Sequence, residues 1–256
     1  MKLFKRTSIF LTIVIILLWT FILVWVNYPL NNIRTTDVEK QQTIKLIKNN
    51  DMKVAAELLD LKIKAVPVAK IQYLAESSEI FEEALRKGNL QRVSDNVYKF
   101  DNSSVRVSGK TIIIEGETNL IEKVTSDTAM SKSRALIEWL GLWKKDMAVY
   151  VYEKMDGFLI SYVPEYKGKR IFDCKINVML YGQSRYKVEF IPYELDKTGE
   201  KQLPKSACAV LSELALSGQG RGETVEEMNL GYKIKEDSLK PAWEVKTKSK
   251  NVFYVE

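Results

Sequence analysis

From Thr7 to Val26 the chain runs TSIFLTIVIILLWTFILVWV without a charged residue. Twenty helical residues at ~1.5 Å each cover ~30 Å, the thickness of a bilayer's hydrocarbon core. Residues 7–27 are therefore predicted to form a transmembrane signal-anchor helix. Lys2, Lys5 and Arg6 precede it, which places residues 1–6 in the cytoplasm and the C-terminal domain outside the cell membrane. Trp19, Trp25 and Tyr28 stand where an outer aromatic belt belongs. A cleaved signal peptide would have a shorter apolar core and small residues at its exit. Here the exit is VWVNYPLNN.

Beyond this stretch the apolar spacing changes. Thr36-Asp37 reads as a helix cap, Val38, Ile44 and Ile47 recur at roughly helical spacing, and Pro67 interrupts the chain. Residues 28–75 are expected to form a juxtamembrane helix and connector. Three similar units follow. The first opens on SSEIFEEALRKG and continues into NVYKF, SVRVSG and KTIIIEGE, which alternate as strands do. The second opens on SKSRALIEWLGL and continues into MAVYVYEK, GFLISYVPEY, RIFDCKINVML and RYKVEFIPY. The third opens on PKSACAVLSELAL and ends with MNLGYKIKEDSLKPAWEVKT. Leu136, Ile137, Leu140 and Leu142 match Val210, Leu211, Leu214 and Leu216 at an offset of 74, which suggests a duplication. The predicted fold class is α+β: one transmembrane helix, then an ectodomain of repeated helix-plus-antiparallel-meander units. Residues 76–200 form its first lobe and residues 201–256 its C-terminal unit, with Trp243 packed on the last helix.

Charge and composition narrow the chemistry. The chain carries +6 in all, and its first 26 residues hold three basic residues and no acidic one. That leaves 36 basic against 33 acidic residues, too balanced for a nucleic-acid binder. There is no histidine, which removes Ser-His-Asp and Cys-His nucleophile pairs and every histidine metal site. Cys174, in a strand pattern, and Cys208, in a helix pattern, read as small buried hydrophobes; a disulfide between them stays open. Glu79, Glu82 and Glu83 suit the first turns of a helix. SGQGRGE lacks the Lys-Ser/Thr of a phosphate loop, and Ser133-Arg134 and Lys205-Ser206 read as helix starts. No catalytic residue, metal site or cofactor is predicted, and the chain is not expected to be an enzyme.

The order of these segments carries a resemblance. Tyr166, Lys167, Gly168, Ile171 and Phe172 match a Tyr-Lys-Gly-x-x-Ile-Phe turn and strand. Leu230, Gly231 and Tyr232, followed by Pro241, Ala242 and Trp243, match a Leu-Gly-Tyr … Pro-Ala-Trp ending. With the single anchor, this resembles the YycI-type regulatory proteins, relatives of YycH, of low-GC Gram-positive bacteria; proteins of the PepSY-like fold share similar motifs. The resemblance implies a membrane-anchored regulator that binds a two-component sensor histidine kinase of cell-wall metabolism, together with a YycH-like sister protein.

Ser8, Thr12, Ile16 and Thr20 are spaced by four and share a face of the predicted anchor. Such a stripe allows close helix approach and interhelical hydrogen bonds; equally, the hydroxyls can bond back to their own helix. The alternative function is a PepSY-like extracytoplasmic binding module that inhibits a protease or binds wall polymer. Tyr150, Tyr152, Tyr162, Tyr166, Tyr181 and Tyr186 are candidates for an aromatic groove in that case, although alternating tyrosines also serve plain sheet packing.

Overall fold

The structure, a computed structural model, describes residues 14–21, 35–74, 91–100, 102–117, 124–182 and 184–256. The helices are α1 (Asp37–Asn49), α2 (Ala56–Leu59), α3 (Ser126–Trp139) and α4 (Ala207–Leu216). The strands are β1 (Lys53–Val54), β2 (Val66–Tyr73), β3 (Gln91–Ser94), β4 (Val97–Phe100), β5 (Ser103–Ser108), β6 (Thr111–Glu117), β7 (Met147–Lys154) and β8 (Gly157–Tyr166). They continue as β9 (Lys169–Arg170), β10 (Ile176–Tyr181), β11 (Arg185–Phe190), β12 (Tyr193–Gln202), β13 (Thr224–Lys235), β14 (Ser238–Thr247) and β15 (Val252–Val255). A further run, 14–21, is helical.

The fold is mostly β, with two large sheets. Nine strands follow the order β3-β4-β5-β6-β11-β10-β8-β7, with β9 on β8; six form the other sheet, β1-β13-β14-β2-β12, with β15 on β14. The chain divides into two compact units, one of residues 1–67, 200–229 and 241–256, the other of residues 68–199 and 230–240.

In the first unit, Thr36 caps α1 by accepting from the Glu39 amide at 3.2 Å. This helix buries Thr43 and Ile47, and the Thr43 hydroxyl meets that of Ser212 on α4 at 3.0 Å. Ser206 caps α4, accepting from the Ala209 amide at 3.0 Å. Ala207, Cys208, Val210, Leu211, Leu214 and Ala215 are all buried, so α4 is apolar nearly all round, as a helix enclosed by other elements must be. It packs on α1 and α2. In β14, Pro241 to Val245 are buried without a break, the mark of a strand covered on both faces. Trp243 is paired with Val255 of β15, and its indole N–H donates to the Lys205 carbonyl at 3.0 Å, just ahead of α4.

In the second unit, α3 packs on β7, β8 and β10. Thr125 and Thr128 form a reciprocal cap at its start. Ile137, Ile160, Val178 and Val188 are fully enclosed between helix and sheet. Ser133 lies inside α3, not at its start, and its hydroxyl meets that of Tyr162 at 2.6 Å.

This architecture corrects the predicted fold class. The strands of the supposed first and second units merge, because Ile112–Glu117 of β6 pair with β11 and so leave that edge covered. The two later helices also differ in what they pack on: α3 meets β7, β8 and β10, whereas α4 meets α1 and α2. Among the described residues no helix is long and apolar enough to cross a membrane. The helical run 14–21 covers part of the expected span 7–27, and the rest of that span lies outside the described residues. So does the helix expected at residues 77–88.

Trp243 is 4% exposed, and replacing a buried Trp by Ala costs about 3–5 kcal/mol. Trp243→Ala is expected to lower the thermal unfolding midpoint by several degrees, read by circular dichroism; an unchanged midpoint would contradict its role in the core.

Candidate functional site

Two of the singled-out segments meet in the second unit. Lys167 (φ 52°) and Gly168 (φ 73°) make the two-residue turn that joins β8 to β9, with Tyr166 paired to Lys169. The chain then leaves β8. Ile171 bridges Tyr232 in parallel register, and the Phe172 amide donates to the Tyr232 carbonyl at 2.9 Å. One residue on, the Asp173 carboxylate accepts from the Ile234 amide at 2.7 Å. The Tyr166 and Tyr232 rings meet edge to face, 5.8 Å apart. Ile171 and Tyr232 are wholly buried. Burial, and then the Tyr166 neighbour, pushes the Tyr232 phenol up to about 12.

Gly231 makes this contact possible. A Cβ there would lie 2.4 Å from Phe172 Cζ and 2.6 Å from the Arg170 carbonyl oxygen. The hairpin tip is held as well: Ile71 donates to the Asp237 carbonyl at 2.8 Å, and Lys110 lies 3.6 Å from the Asp237 carboxylate.

Cys174 follows directly and lies in a cavity of ≈ 170 Å³. The cavity's walls come from β5 and β6 (Val105, Ile112, Ile114), from Ile176 of β10 and Phe190 of β11, and from Pro192 and Tyr193. A further side is the turn after α3. Leu142 donates to the Ile137 carbonyl at 2.8 Å and Gly141 to that of Glu138 at 3.0 Å, with Gly141 at φ 71°. This is a Schellman stop, which needs a left-handed residue after the helix. It brings Leu140, Leu142 and Lys144 to the cavity. Lys144 is exposed, with its ammonium 4.7 Å from the Tyr193 ring centre.

Cys174 is 2% exposed. Burial first, then Asp173, pushes its thiol up to about 12, against a smaller pull from Lys144. The Tyr193 phenol is also raised, chiefly by burial. Both groups therefore stay neutral at ordinary pH.

The sequence placed Cys174 in a strand, but it lies between β9 and β10. Cys208 sits in α4 and is buried and free, as Cys174 is. Of the anchor stripe, Ser8 and Thr12 lie outside the described residues; Ile16 is exposed, and the Thr20 hydroxyl bonds back to the Leu17 carbonyl at 2.9 Å. Pro241, Ala242 and Trp243 are buried in the first unit. The six tyrosines differ in exposure. Tyr162, Tyr166 and Tyr186 are buried, and Tyr150 is half-buried while Tyr152 is exposed. An open depression of ≈ 710 Å³ does bring Tyr181 beside Arg185 and Lys187. Tyr186 lines it too, but turns its hydroxyl inward to Ser103 at 2.7 Å. The cavity was not predicted.

No protein-family model matches the chain, and no curated protein matches it. Among solved structures, an uncharacterized protein from Eubacterium rectale ATCC 33656, determined at 1.45 Å, is 12% identical over 75% of this chain and 82% of that one, with a TM-score of 0.47. A likeness at that level carries nothing about function.

Gly231→Ala is expected to destabilise the chain by about 1–3 kcal/mol, the usual cost of forcing extra atoms into packed space; chemical denaturation with an unshifted midpoint would contradict the contact. The thiol supplies a pH test. A raised folded pKa contributes stability that is complete below the unfolded value of 9.0 and fades as pH rises toward about 12. Cys174→Ala should therefore lose less stability than the parent over that window, and native Cys174 should resist alkylation near neutral pH; equal alkaline losses would contradict the assignment.

Proposed function

We propose that the chain is a YycI-type regulator that binds a two-component sensor histidine kinase of cell-wall metabolism, acting with a YycH-like sister protein at the outer face of the cell membrane. The charge-free stretch of residues 7–27 supports that location. The observation that carries the reading is the joining of Tyr166, Ile171 and Phe172 to Gly231 and Tyr232. Residues matched in two blocks some sixty positions apart serve one packed contact, as the parts of a real family signature should. Regulation then requires that the protein bind one signalling state of the kinase better than another.

The test is covalent crosslinking in native membranes, followed by pull-down of the tagged chain and mass spectrometry. A sensor histidine kinase should be recovered, and deletion of the gene should alter its target-gene output. Recovery of no kinase, with unchanged output, would refute the proposal.

A further inference from the structure

We propose that the cavity of the second unit binds a small free carboxylic acid whose apolar part is about the size of one phenyl ring, with Lys144 at its mouth taking the carboxylate. Size sets the apolar part. An apolar cavity of about 150 Å³ is known to stay dry and accept benzene, and this one measures ≈ 170 Å³. Its walls are mainly aliphatic and aromatic, such as Val105, Ile114 and Phe190, so an apolar group displaces little bound water there.

Charge sets the head group. Among the described lining residues Lys144 alone is charged. The nearby Asp173 is engaged with the Ile234 amide at 2.7 Å. The Lys144 ammonium lies over the Tyr193 ring at 4.7 Å, while Lys144 itself is exposed. The other polar lining groups, the Cys174 thiol and the Tyr193 phenol, are neutral hydrogen-bonding partners. An amphiphile with one apolar ring and one anionic head matches this arrangement, the head near the solvent-exposed lysine and the ring inside. The proposal does not depend on the kinase reading, because it concerns occupancy of the second unit alone.

The experiment is calorimetric titration and thermal unfolding of the full chain in detergent with phenylacetate, its neutral counterpart phenylacetamide, and a tripeptide ending in Phe. Phenylacetate should bind saturably at one site, raise the unfolding midpoint and exceed phenylacetamide in affinity. Lys144→Ala, an exposed position, should leave folding intact and weaken phenylacetate about tenfold, the scale of one charge-assisted hydrogen bond. Leu142→Trp, which fills the cavity from its half-buried rim, should abolish binding while the circular dichroism spectrum is kept. The proposal is overturned if phenylacetate fails to saturate at millimolar concentration or binds no better than phenylacetamide. It is equally overturned if Lys144→Ala binds as the parent does, or if the tripeptide binds and the free acid does not.

Discussion

An absent side chain is the constraint on which the second unit turns. Gly231 lets the Phe172 ring and the Arg170 carbonyl approach the backbone of β13 more closely than any Cβ would permit. Once they do, Ile171 and Tyr232 can bridge, and the Phe172 amide and the Asp173 carboxylate find their partners on β13. Leaving a sheet would otherwise strand the amide of the buried Phe172 without a partner, at a cost of about 1–3 kcal/mol. The excursion from β8 is thus stable because its hydrogen bonds are remade elsewhere.

The same excursion sets the cavity. The chain between β9 and β10 is fixed at Phe172 and Asp173, so Cys174 and Ile176 are carried to the cavity wall. Opposite, the Schellman stop at Gly141 ends α3 and directs Leu142 and Lys144 toward it. Two chain reversals, each secured by its own hydrogen bonds, hold open a space that side chains of the core do not fill. A cavity with rigid walls cannot relax much to recover its lost contacts. That is also why a ligand of matching size would be bound with little reorganisation.

Much of the local structure was legible in the sequence. The cap at Thr36, the strand alternation of β5, and the burial of Trp243 follow from spacing and residue type. The architecture was not, because a buried face records that something covers it and not what does. Val210, Leu211 and Leu214 repeat the pattern of Leu136, Ile137 and Leu140, yet α4 packs on helices α1 and α2 while α3 packs on strands β7, β8 and β10. The segment RIFDCKINV reads as one strand because Ile171, Phe172 and Cys174 are buried like strand residues. It breaks because the Phe172 amide and the Asp173 carboxylate are satisfied sixty residues away, which no local pattern announces. The cavity is a shortfall of volume among residues that each look like ordinary core, so no single residue signals it. Lys144 looked like any exposed lysine. Gly231 was visible as a motif residue, but its reason became clear only beside Phe172.

If segments 170–173 and 231–234 form one cooperative joint, amide hydrogen exchange will report it. The Phe172 and Ile234 amides should exchange together, as slowly as the β8–β10 ladder amides such as that of Val178, because opening one requires opening all. Exchange of Phe172 and Ile234 at different rates, or much faster than that ladder, would show that the two segments open piecemeal and form no single joint.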